Sequence, residues 1–297
     1  MSISETMQST ARDLLISGQV QRVIGFEASP RGRVRPAIID RPEEAERLVW
    51  SADCTHNLTV YLQRALNRDN GHASREPATP PARVAIVVKP CDSRAINVLL
   101  AEHQFSREQV FAIGMACEGI RQGAPASAPE ATLQERCLRC RERVPVVHDV
   151  LLGEPPSALP EALPDEALAH VRGLPPAERA AFWLNQFDRC IRCYACRQTC
   201  PMCNCPTCLF EQEDALWVGM RIAPSEKRAF HLGRALHLAG RCVGCNECER
   251  VCPMGIPIGL LNRHLAETVE SLYGHRAGMQ AVLSPVTGML SAEESAP

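Results

Sequence analysis

Cys190, Cys193, Cys196 and Cys200 stand at the spacing C-x2-C-x2-C-x3-C with Pro201 behind the last, and Cys242, Cys245, Cys248 and Cys252 repeat it before Pro253. Runs of this kind hold iron–sulfur cubes: three closely spaced thiolates wrap three corners of one 4Fe-4S cluster. The fourth, turned away at the Cys-Pro step, reaches the other cluster. The spacing assigns Cys190, Cys193, Cys196 and Cys252 to one cluster and Cys242, Cys245, Cys248 and Cys200 to a second. Zinc is the competing occupant, but it needs only four ligands and commonly uses two separated C-x2-C knuckles rather than triple runs. A segment built round such loops has short helices and a small core, so metal ligation supplies stability that packing does not.

Between the motifs lies a helical pattern, Ser225 to Ala239, that carries His231 and His237. These are six apart rather than on one face at i, i+4, and are expected to be surface or packing residues. Two adjacent clusters move single electrons and do no bond chemistry of their own. No G-x-S-x-G, Walker A loop, H-E-x-x-H or post-strand G-x-G-x-x-G is present, so neither hydrolysis nor a Rossmann-type NAD site has sequence support.

The chain has sixteen cysteines in 297 residues, so eight remain: Cys54, Cys91, Cys117, Cys137, Cys140, Cys203, Cys205 and Cys208. Arg83 to Lys89 and Val110 to Met115 are short apolar runs without polar alternation, as in strands covered on both faces, and Asp92 to His103 between them reads as a helix. A βαβ crossover makes the two strands parallel and brings their carboxyl ends to one sheet edge. Cys91 and Cys117 end up there together, and the C-x2-C pair Cys137 and Cys140 closes a four-thiolate site. A third 4Fe-4S cluster suits it; zinc or unligated thiols are the alternatives. Cys203, Cys205 and Cys208 follow Pro201 closely, and with Cys54 or a non-cysteine ligand would make a fourth cluster, unless they serve a redox or packing role.

The rest of the chain frames these sites. Val20 to Phe26 and Val34 to Ile39 form a hairpin round Ser29-Pro30-Arg31-Gly32. Asp40, Pro42 and Glu43 open a helix toward Trp50, and Leu58 to Leu66 is a second helix, ended by loop composition from Asn67 to Ala82. Ala124 to Glu130 is rich in proline, alanine and acid. The expected organisation is an α/β domain over 1–152, a proline-rich linker over 153–176 and a mostly helical dicluster ferredoxin-like domain over 177–274. That last domain opens with a helix from Leu174 to Phe187 and closes with one from Ile258 to Tyr273. A loose tail follows over 275–297. Acids number 34 and bases 32, so the net charge of −2 gives no argument for nucleic acid. No apolar run is long enough to span a membrane and no leader is evident, which with the cysteine content points to the reducing cytoplasm.

Several segments together resemble the beta-subunit family of coenzyme F420 hydrogenases and dehydrogenases, above all its formate dehydrogenase members. They are Cys54-Thr-His-Asn57-Leu58, Lys89-Pro90-Cys91-Asp92-Ser93-Arg94-Ala95, Ile113-Gly114 before Cys117, Cys137-Leu-Arg-Cys140, and the two ferredoxin motifs. The resemblance covers most of residues 15–273. It implies an α/β domain that commonly holds FAD beside a cluster. It also implies work as the electron module of a hydrogenase, formate dehydrogenase or heterodisulfide-reductase-like assembly, with that complex's catalytic subunit as partner. Asn57, Lys89, Asp92, Ser93 and Arg94 are then candidate cofactor-binding residues, since a strand end at a helix N-terminus offers N–H groups and positive charge to a phosphate or cluster. The competing role for Lys89 and Asp92 is local capping and pairing. Against the electron relay stand two alternatives: a flavoenzyme exchanging hydride with F420 or NAD(P), and a scaffold whose metal is structural.

Overall fold

The computed structural model describes residues 1–69, 82–122, 132–156, 162–212, 218–219 and 221–287. It divides into two units, Met1–Leu163 with Gly278–Val282, and Pro164–Ala277 with the residues from Leu283 on.

The first unit opens with helix α1 (Ile3–Ile16), which lies ahead of the elements expected from sequence. Ser2 and Glu5 form a reciprocal capping box at its start, and Met7, Ala11 and Leu14, spaced four and three apart, are its buried stripe in an otherwise polar segment. Strands β1 (Arg22–Ala28) and β2 (Val34–Ile39) make the antiparallel hairpin. The helix expected after Asp40 is only a 3-10 stretch, Pro42–Arg47. Ala45 is its one buried residue, and its polar side chains are taken up by ion pairs such as Arg47 to Glu44 and Glu27, so no apolar face exists to hold a longer helix.

Helix α2 (Thr59–Asp69), strand β3 (Val84–Val88), helix α3 (Pro90–Ala101) and strand β4 (Val110–Met115) follow, then the short helix α4 (Glu135–Leu138) and strand β5 (Val150–Leu152). The five strands lie in the order β2-β1-β3-β4-β5, with β1, β3, β4 and β5 mutually parallel. Every residue of β3 is buried, which is why its sequence shows no polar alternation. The expected loop at Asn67 to Ala82 and the stretch Ala124 to Glu130 lie almost wholly outside the described residues.

The second unit is helical among its described residues: α5 (Glu166–Gly173), α6 (Pro176–Asp188), α7 (Ala195–Gln198), α8 (Pro224–His237), α9 (Glu247–Arg250) and α10 (Ile258–Tyr273). Helix α5 falls inside the stretch expected to be linker. Asp165 caps it, and Leu168 and Val171 pack on Leu260 of α10, so this half of the proline-rich segment is built into the unit. The tail is likewise anchored where described: His275 bonds the Gly240 carbonyl at 2.9 Å and Ser284 is buried near Ala239. No helix among the described residues is long and apolar enough to cross a membrane.

Candidate metal centres

The two cysteine loops have the same backbone. Arg192 and Tyr194 take the left-handed conformation in the first (φ 52° and 58°), and Gly244 and Asn246 take it at the matching positions of the second (φ 72° and 53°). Left-handed turns bring backbone amides in toward sulfur: Arg192 N–H, within the first loop, donates to Cys190 Sγ at 3.2 Å, and Ile256 N–H, after left-handed Gly255 beyond the second loop, donates to Cys252 Sγ at 3.4 Å. A glycine adopts this conformation without strain. Arg192 adopts it because its guanidinium is tied down, bonding the Gly219 and Arg221 carbonyls, Glu226 and the Tyr194 hydroxyl.

These loops enclose two pockets. One is lined by Cys190, Cys193, Cys196 and Cys252, walled by Phe230, His231, Ile256 and Ile258, with an empty volume of about 310 Å³ including its open mouth. The other is lined by Cys200, Cys242, Cys245 and Cys248, with Asn246, Gly259 and Asn262, and measures about 350 Å³. Each pocket thus collects three cysteines from one loop and the fourth from the other. Among the described residues no three His, Cys, Asp or Glu side chains converge on one point as a single ion requires. In each pocket four sulfurs instead line one shared space, the donor set of a polynuclear group.

The donor chemistry fits as well. Burial pushes the Cys196 thiol up to about 11 and the Cys248 thiol up to about 12, so these sulfurs are thiolates only beside a compensating cation, which iron supplies. The chain provides one such cation itself. Arg234 of α8 is 3 % exposed, donates to the Cys196 carbonyl at 3.1 Å, and lies within electrostatic reach of Cys196, Cys200, Cys203 and Cys248, thiols of both pockets. The Cys203 thiol donates to Cys200, and this bond outweighs burial and lowers the Cys200 thiol from its ordinary value. Asn262 of α10, also buried, donates from Nδ2 to Cys248 Sγ at 3.7 Å.

Of the two roles expected for His231, surface or packing, the structure gives it the second, stacked on Phe187. It is 3 % exposed, forms part of the first pocket's wall, and neither ring nitrogen has a hydrogen-bond partner. Burial, with Arg234 and Arg192 nearby, lowers it to about 4, so the ring is neutral. The stripe Lys227, Phe230, His231, Arg234 and Ala235, all buried on one face of α8, was the readable signal; His237 is exposed.

In the first unit, Cys91 sits in the first turn of α3 directly after β3, and Cys117 lies just past β4, its N–H bonded to the Arg143 carbonyl at 2.9 Å. Cys137 lies within α4 and Cys140 just after it; Ile120 N–H donates to Cys137 Sγ at 3.3 Å, and the Cys140 thiol donates to the Glu142 carbonyl at 3.0 Å. Cys117 is close enough to Cys91, Cys137 and Cys140 to feel their charge, so the sheet edge and the C-x2-C turn bring four sulfurs into one neighbourhood. Burial raises Cys117 to about 11, against the backbone N–H of Gly119. Cys54 is raised to about 11 by burial, with the charge of Lys89 acting against it.

The residues assigned to a cofactor through the family resemblance are engaged within the protein. Lys89 Nζ pairs with Asp92 at 2.9 Å, the two side chains being 1 % and 0 % exposed. It also donates to the His56 carbonyl at 2.7 Å and lies over the Phe26 ring. Asp92 additionally accepts the Lys89 N–H, closing the start of α3. Ser93 Oγ donates to the Pro90 carbonyl and accepts from Val146 N–H, Arg94 reaches Glu142, and Asn57 caps Thr59 at the start of α2. They fix the loops that carry Cys54, Cys91 and Cys140. Cys203, Cys205 and Cys208 do not share one setting: the first bonds Cys200, the second is exposed, and the third is buried with Phe210 and Phe230.

Residues 186–256 match the 4Fe-4S dicluster domain family. Over 104 residues the chain is 31% identical to F420-dependent formate dehydrogenase subunit beta of Methanocaldococcus jannaschii, covering 35% of this chain and 27% of that protein. Over 106 residues it is 26% identical to F420-dependent formate dehydrogenase 1 subunit beta of Methanococcus maripaludis, covering 36% and 27%. The match thus spans about a quarter of the length of these curated relatives. The second unit carries a 4Fe-4S dicluster domain.

Proposed function

We propose that this chain is an iron–sulfur electron-transfer subunit of a multi-subunit oxidoreductase of the formate dehydrogenase kind. The observation that carries this is the pair of pockets, each lined by four cysteines drawn crosswise from two equivalent loops. Clusters bound there supply reversible one-electron chemistry. The chain's own part is to hold and tune: Cys190, Cys193, Cys196 and Cys252 ligate one cluster, and Cys200, Cys242, Cys245 and Cys248 the other. Amide N–H groups and Arg234 offset thiolate charge, and exposed Cys193 leaves one edge open to a partner.

Cys91, Cys117, Cys137 and Cys140 hold a third cluster in the first unit, and Cys54, Cys203, Cys205 and Cys208 remain thiols. Asn57, Lys89, Asp92, Ser93 and Arg94 serve as the framework of that site, so no flavin on this chain is needed for the relay. None of the sixteen cysteines is joined in a disulfide, which suits the reducing cytoplasm. A catalytic subunit is the expected partner, since both curated relatives are named as subunits of F420-dependent formate dehydrogenases.

Anaerobic purification of the full chain from its native host tests this. Expected are about twelve iron atoms per chain, by the four-per-cluster count, EPR signals on reduction, and a co-purifying catalytic subunit. A colourless zinc protein, or an iron-loaded chain that turns over formate or hydrogen alone, would overturn it.

A further inference from the structure

Helix α8 lies between the two cysteine loops in sequence, and its inner face carries three polar residues, Lys227, His231 and Arg234. Two of them have partners: Lys227 Nζ donates to the Asp188 carbonyl at 2.6 Å and Arg234 to that of Cys196 at 3.1 Å. His231 has none, although its burial denies it water. Buried polar groups without partners are rare and costly, and those in native proteins call for a reason.

The ring is also held in place. It stacks on Phe187, centroids 4.7 Å apart and planes 9° from parallel, and meets Phe230 nearly edge-on at 5.1 Å. Its surroundings on those sides are carbon; the side on which it forms a wall is the pocket of Cys190, Cys193, Cys196 and Cys252. An imidazole carries at least one N–H in either protonation state, so a donor is always present.

We propose that His231 donates its ring N–H to the sulfur of the iron–sulfur group held in that pocket, as a positioning residue that raises the group's reduction potential. This rests on the dicluster reading above. A hydrogen bond to cluster sulfur favours the more negative, reduced state, and such bonds are among the factors that set potentials. The second pocket has a counterpart: Asn262, brought by α10, already donates toward Cys248 Sγ. Each pocket then takes one side-chain donor from a helix outside the loops, an imidazole in one and an amide in the other. His231 is not a ligand, because its pocket already has four thiolates.

The test uses the full chain, purified anaerobically with its partners, in wild-type form and as His231→Phe and His231→Gln. Phe keeps the aromatic stack without the N–H; Gln restores a donor. Iron and sulfide counts come first: if the wild type lacks two clusters, it is the dicluster reading that has failed. With iron retained, EPR-monitored potentiometry should show one cluster more negative in His231→Phe, the other unmoved, and a partial return in His231→Gln. Asn262→Leu should move the other cluster instead, which assigns the signals.

Pulsed EPR on the wild type, with 15N-histidine and deuterium exchange, should find a weakly coupled histidine nitrogen and an exchangeable proton. Unmoved potentials in an iron-replete His231→Phe overturn the proposal, as does a strong nitrogen coupling, which would mean direct ligation. If His231→Phe loses iron, the wild-type couplings decide: no exchangeable proton at a histidine nitrogen overturns it.

Discussion

Lys89 and Asp92 form an ion pair with no access to water, and its removal from one side should be among the most damaging single changes in the first unit. The pair is 2.9 Å apart, which at an effective dielectric constant near 20 corresponds to about 6 kcal/mol of attraction. Lys89→Met leaves Asp92 as a buried carboxylate without its ammonium partner, and Asp92→Asn leaves a buried ammonium bonded to the His56 carbonyl. Each single change should cost about 3–5 kcal/mol, the usual penalty for orphaning one member of a buried pair. The double variant Lys89→Met/Asp92→Asn removes both charges and keeps the cap, because the Asn oxygen still accepts the Lys89 N–H. Its main loss is the donor to the His56 carbonyl, a cost of about 1–3 kcal/mol. The assay is urea unfolding followed by Trp50 fluorescence, with Trp183 and Trp217 replaced by phenylalanine. Trp50 lies 6.2 Å from Phe26, the ring beneath Lys89 Nζ, and so reports on this network. A double variant as damaged as the sum of the singles, or singles costing under about 1 kcal/mol, would refute a buried, coupled pair.

Other expectations follow from the same structure. Cys137→Ser with Cys140→Ser should lower iron by about four atoms per chain by the cluster count; an unchanged count in a folded variant would leave those cysteines as ordinary thiols. Arg234→Leu removes a cation shared by thiols of both pockets, so EPR potentiometry should find both clusters harder to reduce, and a shift confined to one would contradict the shared placement. Glu27 is buried, which raises its pKa, but bonds to Arg47 and Arg35 win and hold it below the usual 4.5. A depressed carboxyl adds stability above its unfolded pKa that is lost as pH falls through the folded one, so acid unfolding of the first unit below about pH 4.5 should be shallower in Glu27→Gln. An identical acid profile for the variant would count against this ion-pair cluster.

Much of this was legible because ligand spacing and strand covering leave direct marks on sequence. The Cys-Pro step after a three-residue gap turns the fourth cysteine away from its own loop, and Cys200 and Cys252 line opposite pockets. The run from Val84 to Val88 has no polar residue because the strand has no solvent side. Pairing at the start of α3 was readable in part: Lys89 and Asp92, three apart across Pro90, suit a capping pair, but only the packing of Phe26 and His56 makes it buried. Helix α5 was hidden by the prolines around it, since its hold is tertiary, through Leu260 and the Arg172 to Glu267 pair. For His231 the sequence left surface and packing open, and only the buried stripe it shares with Phe230 and Arg234 decides for packing.

Because each pocket borrows its fourth sulfur from the loop that builds the other, the two halves are not spare parts for one another. Loading the first pocket pins Cys252, and with it the end of the loop that must receive the second cluster, so cluster delivery in the cell should run as one concerted event with little half-filled stock. The same interlock works in reverse. Cys193 is the exposed rim of one pocket, and a cluster lost from that side should free Cys252 and with it the loop that builds the other pocket, so the two sites should empty together.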